Sequence, residues 1–150
     1  MDPLMDRITG RVALAGVGRL GGGDDGFGPM LARALAGCGS LDVVDCGDRP
    51  EDFTADILRG RPDTVLIADA VEMGARPGEV ALVEASDLPL GWGDTHRASL
   101  RTLMEYLAGR GGARVLLLAV QPSSVSDGPE LSPAVATALE RLGAMLRGVS

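Results

Sequence analysis

The chain is short of the side chains that most often carry catalysis. It has one histidine, His96, and two cysteines, Cys38 and Cys46. One histidine excludes the H-E-x-x-H zinc signature, which needs two. The cysteines do not form C-x-x-C, and they read as small buried thiols rather than as a ligand pair. No Gly-Lys-Ser/Thr closes a glycine loop, so a Walker-type phosphate loop is absent. No G-x-S-x-G elbow is present for a serine hydrolase. Basic residues number 14 against 21 acidic ones, a net charge of -7. That balance supplies no basic face for a nucleic-acid partner. The first residues lack the basic-then-apolar pattern of a secretion signal, and no apolar run approaches the ~20 residues of a membrane span. A cytoplasmic protein without membrane insertion is expected, with both thiols reduced.

What is present is an alternation of apolar runs and helical patterns. The 150 residues, 45% of them hydrophobic, predict one domain over 1–150, with 1–10 as a flexible tail. Strands are expected at Val12–Val17, Leu41–Asp45, Thr64–Ala68, Glu79–Glu84 and Arg114–Val120. The fourth is the one least committed to a parallel setting. Helices are expected from Met30 to Ala36 with Pro29 in the first turn, and from Pro50 to Arg59. Two more are expected from His96 to Ala108 and from Ser132-Pro133 to Leu146, the last capped by the Ser132 hydroxyl. Gly109–Ala113 and Pro122–Pro129 read as loops. The fold class is α/β, a mostly parallel, five-stranded sheet covered by helices. Ligands of such sheets bind beyond the carboxyl ends of the strands.

Those ends are polar. The first leads into Gly16-Val17-Gly18-Arg19-Leu20-Gly21-Gly22-Gly23-Asp24-Asp25-Gly26-Phe27-Gly28, the second into Asp45-Cys46-Gly47-Asp48. The third reaches Asp69, a loop ends in Asp94-Thr95-His96, and the last strand ends in Gln121-Pro122. Two readings compete. Gly16, Gly18 and Gly21 satisfy the G-x-G-x-x-G of a Rossmann-like nucleotide-binding module, with Asp45 where a ribose-binding acid lies. Yet further glycines follow where a helix should be under way, and Asp24 and Asp25 would repel a pyrophosphate. Alternatively, Asp25, Asp69 and His96 share one rim, and two carboxylates with one imidazole suit a borderline divalent metal such as nickel or zinc. Either aspartate of the loop could instead cap the following helix, and Asp24 is the better candidate for that.

The ordered motifs resemble a family, the maturation proteases of nickel-iron hydrogenases. They are Gly16-Val17-Gly18, Asp24-Asp25-Gly26-Phe27-Gly28, Val44-Asp45-Cys46-Gly47, Ile67-Ala68-Asp69-Ala70, Met73-Gly74, Pro77-Gly78-Glu79, Thr95-His96, Val120-Gln121-Pro122 and Leu131-Ser132-Pro133. The match spans Val12 to Leu146 and looks closest to the branch that matures hydrogenase 3 of formate hydrogenlyase. The resemblance implies an α/β/α sandwich. It implies an endopeptidase that removes the C-terminal extension of a large-subunit precursor after nickel insertion, with the substrate's nickel as recognition element. It implies Asp25, Asp69 and His96 as the metal-contacting residues, with Asp25 also a candidate general base. Substrate contacts are implied at Gly18, Arg19, Gly26, Asp45, Gly47 and Gln121. Arg19 stands where the family usually has Asn, and Cys46 where Gly is commoner.

Overall fold

A computed structural model of the chain describes residues 3–88, 95–123 and 128–148, with only the backbone of Pro3, Thr95 and Arg97. Five strands form one sheet in the order β2-β1-β3-β5-β4. β1 (Val12–Val17), β2 (Leu41–Gly47), β3 (Thr64–Ala70) and β5 (Arg114–Val120) are parallel. β4 (Val80–Val83) is an antiparallel edge strand on β5. The helices are α1 (Phe27–Leu35), α2 (Thr54–Leu58), α3 (Thr95–Gly111) and α4 (Pro133–Arg147).

The apolar runs explain the layers. β1 and β3 are buried at every position and β5 at all but Arg114, as strands covered on both faces must be. Side chains alternate between faces. Leu14, Leu66, Leu116 and Leu118 pack with residues of α1 and α4, including Leu31, Leu35, Val135 and Leu142. Ala13, Ala15, Val65, Ile67 and Leu117 meet Ile57 of α2 and the Leu100, Leu103, Met104, Leu107 stripe of α3. The expected three-layer α/β/α architecture is thus realised.

Several boundaries differ from expectation, each for a physical reason. β3 continues two residues further, carrying Asp69 within the strand opposite Ala119. α1 starts at Phe27, still leaving Pro29 in the first turn, where its missing N–H costs nothing. The Pro50–Arg59 segment divides into a 3-10 turn at Pro50–Phe53 and the short α2. Gly109 is helical, inside α3. The tail is packed: Leu4 and Met5 lie against the core, Ile8 is buried, and the Arg7 guanidinium donates to the Leu82 carbonyl at 2.7 Å.

One irregularity positions the site. β1 pairs with β3 only as far as Gly16 opposite Ala68; a register shift then sets Val17 opposite Gly47 of β2. The Gly18 N–H continues this by donating to the Gly47 carbonyl at 2.8 Å. β1 therefore leans away from β3, whose last residues, Asp69 and Ala70, pair with β5. The chain also leaves β1 toward β2 on one side, while β3 lies on the other. This is the switch point at which doubly wound sheets open a ligand crevice.

Candidate functional site

Asp69 follows Val65 and Ile67 at alternate positions, so its side chain faces the layer of α2 and α3. Its carboxylate is 1% exposed. The second residue of α3 is His96, which is half exposed, and its Nε2 stands 2.8 Å from Asp69 Oδ2. That is ion-pair distance, yet among the described residues neither Asp69 oxygen receives a well-directed hydrogen bond. Burial pushes the Asp69 pKa up; the imidazole pulls it back only in part, and the nearby Asp25 charge raises it further. A buried carboxylate with unsatisfied oxygens is costly unless something with positive charge meets it. Both residues line a cavity of about 1120 Å³ that Val17, Gly18, Arg19 and Asp25 close on the β1 side.

The glycine-rich segment forms a tight turn rather than a phosphate cradle. Gly18 has φ +145, and a Cβ there would strike the Asp25 carbonyl. That carbonyl accepts the Arg19 N–H at 2.9 Å, while Gly22 N–H donates to Arg19 O and Asp25 N–H to Gly22 O, each at 3.2 Å. Gly21 (φ +86) lies outside any helix, and α1 begins only after both aspartates. The nucleotide fingerprint needs its third glycine inside the helix, so the G-x-G-x-x-G match is a coincidence of composition.

The two aspartates have different tasks. Asp24 is buried and does not cap α1. Its carboxylate accepts the Ser132 N–H (2.7 Å), the Ser132 hydroxyl (2.8 Å) and the Ser123 N–H (2.9 Å). Ser132 in turn makes no capping bond to α4, because its hydroxyl is given to Asp24. Asp24 thus bolts the glycine turn to the start of α4 and leaves Asp25 exposed at the cavity lip. Asp69 and His96 are brought together; Asp25 shares their cavity, but the three do not converge into one ligand group among the described residues.

Other predicted positions fall elsewhere. Gly26 is buried in the turn, and Gly47 holds the turn through its carbonyl. Asp45 pairs with Arg33 of α1 at 3.3 Å, outside the cavity wall. Gln121 is buried, accepting from Met73 N–H (2.7 Å) and Ala75 N–H (3.2 Å) and donating to Glu72 (2.8 Å). It organises the loop after β3 rather than facing the cavity. Asp94 lies outside the described residues. Asp48, named in the sequence only as part of a polar strand end, joins the wall, as do Glu51 and Tyr106, which the sequence did not single out. Tyr106 was findable: His96, Ser99, Leu103 and Tyr106 recur at the three-to-four spacing of one helix face.

Neither cysteine belongs to this chemistry. Burial, with Asp45 and Asp56 adding to it, pushes the Cys46 thiol up to about 12. A hydrogen bond with Ser40 holds Cys38 below its usual value. At pH 8 roughly one Cys46 thiol in 10⁴ is ionised, so iodoacetamide is expected to label Cys38 and spare Cys46 in the native protein. Equal labelling by peptide mass mapping would contradict the burial of Cys46.

The sequence model of the family HycI, hydrogenase maturation protease, matches residues 29–148, a span containing Asp69 and His96. The chain is 33% identical over 129 residues to the hydrogenase 3 maturation protease of Escherichia coli K12, covering 84% of this chain and 82% of that one. Its backbone is similar to the crystal structure of the [NiFe] hydrogenase maturation protease HycI from Thermococcus kodakarensis KOD1. The TM-score is 0.88 at 27% identity, covering 99% and 98% of the two chains. It is likewise similar to the solution structure of the Escherichia coli endopeptidase HycI, with TM-score 0.80 at 32% identity over 93% and 90%.

Proposed function

The chain belongs to the hydrogenase maturation protease family, and on that premise we propose that it removes the C-terminal extension of a nickel-iron hydrogenase large-subunit precursor once nickel has been inserted. The nickel is the precursor's cargo. The observation that supports this reading is the pair formed in the crevice between β1 and β3 by half-exposed His96 and buried Asp69, whose oxygens receive no well-directed hydrogen bond among the described residues. Nitrogen and oxygen ligands of a borderline divalent ion sit at about 2.1 Å from it. Two such ligands at a right angle are then about 3 Å apart, close to the 2.8 Å that separates Nε2 from Oδ2. An ion presented there meets donors already gathered, and it offsets the cost of burying Asp69. Asp25, exposed on the turn, is the third donor, brought in as the precursor docks. Precursor without nickel has nothing to satisfy Asp69 and is not held. Hydrolysis adds one water across one peptide bond, leaving a new carboxylate on the mature subunit and a free amine on the released peptide.

The test is direct. Purified protein is expected to shorten nickel-loaded precursor, seen by mass, and to leave nickel-free precursor intact. Equal cleavage of both, or of neither, would sink the reading. His96→Ala is expected to lower the cleavage rate more than about 100-fold, beyond what loss of a merely supporting group costs a metal site. Because His96 is half exposed, its replacement should leave the melting temperature nearly unchanged.

A further inference from the structure

We infer that Arg19 is the carboxylate-binding residue of the cavity and holds an acidic group of the docked precursor; this rests on the cavity being the precursor's site. Among the described residues the other charged side chains of the wall, Asp25, Asp48, Glu51 and Asp69, are all acids, and Arg19 is the one guanidinium. It makes no side-chain hydrogen bond or ion pair with any described residue, although other arginines of the chain do, such as Arg33 with Asp45 and Arg59 with Asp56. An unpaired guanidinium presents a planar fork of donors that matches a carboxylate.

The turn gives this side chain a berth. Gly22 has φ -99 and ψ 34, outside the left-handed region that demands glycine, so its backbone alone does not account for the missing side chain. A Cβ built on it would stand 3.2 Å from Arg19 Nε, 3.3 Å from Arg19 Nη2 and 3.2 Å from Asp25 Cβ. The missing methyl is the space in which the guanidinium lies beside Asp25. The same turn carries Leu20, and the opposite wall carries Tyr106. These are the two large apolar side chains exposed among the described residues. A cation flanked by apolar side chains at the mouth of an acidic cavity fits a protein partner that brings a carboxylate with it.

Binding to immobilised nickel-loaded precursor, read in the first association phase before cleavage, tests this with the full chain. Arg19→Ala is expected to raise Kd about tenfold, the scale of a charge-assisted hydrogen bond, and Arg19→Glu further. Arg19→Lys should lose less, because the charge stays but the fork is gone. Gly22→Ala should weaken binding about threefold by crowding the guanidinium. Melting temperatures should not move, since Arg19 is exposed. Precursor with an amidated C-terminus separates the two sources of carboxylate. If amidation and Arg19→Ala are not additive, Arg19 holds the chain terminus; if they add, it holds an acidic side chain. Unchanged Kd in both Arg19→Ala and Arg19→Glu would overturn the inference. Should nickel-free precursor be cut as readily while the Arg19 dependence persists, the nickel reading fails and this one stands.

Discussion

Asp69→Asn is expected to abolish cleavage and, at neutral pH, to make the protein more stable. The two effects share one cause. Asp69 is buried, neither oxygen receives a well-directed hydrogen bond among the described residues, and burial raises its pKa above the unfolded value although His96 opposes this in part. As pH rises past the ordinary carboxyl range, about 4, the unfolded chain releases this proton before the folded chain does. The native state then binds more protons than the unfolded one, so stability falls with rising pH across that window. Asparagine has nearly the same shape and no charge, so the variant escapes the loss. Each 1 kcal/mol so relieved is worth about 2–4 °C in melting temperature for a domain of this size. The advantage should have largely faded by pH 4, where the unfolded chain already holds this proton about half the time. Activity should drop by more than about 100-fold, because a neutral amide cannot meet a metal as the carboxylate does. Melting curves at pH 4 and pH 7.5, with mass-detected cleavage, decide it. A lower melting temperature at pH 7.5 would mean that the carboxylate is stabilised by a partner in the fold.

Gly28→Ala is expected to destabilise the fold strongly. Gly28 is the second residue of α1, where alanine would ordinarily help a helix by up to about 1 kcal/mol. Here a Cβ would run into the carbonyls of Val17 and Ala68 and the Val17 nitrogen. All three are backbone atoms, of two central strands, and cannot swing aside as a side chain would. Overpacking of this kind costs about 3 kcal/mol or more, a fall of roughly 6–12 °C. Cleavage should suffer as well, since lifting α1 drags the turn that carries Arg19 and Asp25. An unchanged melting temperature would show that α1 does not rest on the strand ends as described.

The sheet was legible in the sequence because its signal is local. The apolar runs of β1 and β5 gave their boundaries to the residue, and the leucine stripe of α3 faces the core as its spacing requires. Asp69 shows where local reading stops. A polar residue after an apolar run looks like the end of a strand, so β3 was expected to finish at Ala68. Pairing with β5 carries it on, and the departure of β1 is what exposes Asp69 to the crevice. Asp24 and Ser132 show the same limit from the other side. Each has the residue type and position of a helix cap. They bond each other instead, 108 residues apart in sequence. The grouping of Asp69 with His96 was reached by fold logic, whereas Tyr106 was readable from helix spacing and overlooked. Asp48 was marked only by its place in the polar end of β2, and Glu51 carried no pattern that marked it.

The bolt at Asp24 also has a temporal side. Both serines that hold it, Ser123 and Ser132, belong to the last fifth of the chain, and the turn it fixes to the first fifth. During synthesis the N-terminal strands emerge early, and Gly47 of β2 can hold the start of the turn, but the second anchor, at Asp24, has to wait until the segment opening α4 has left the ribosome.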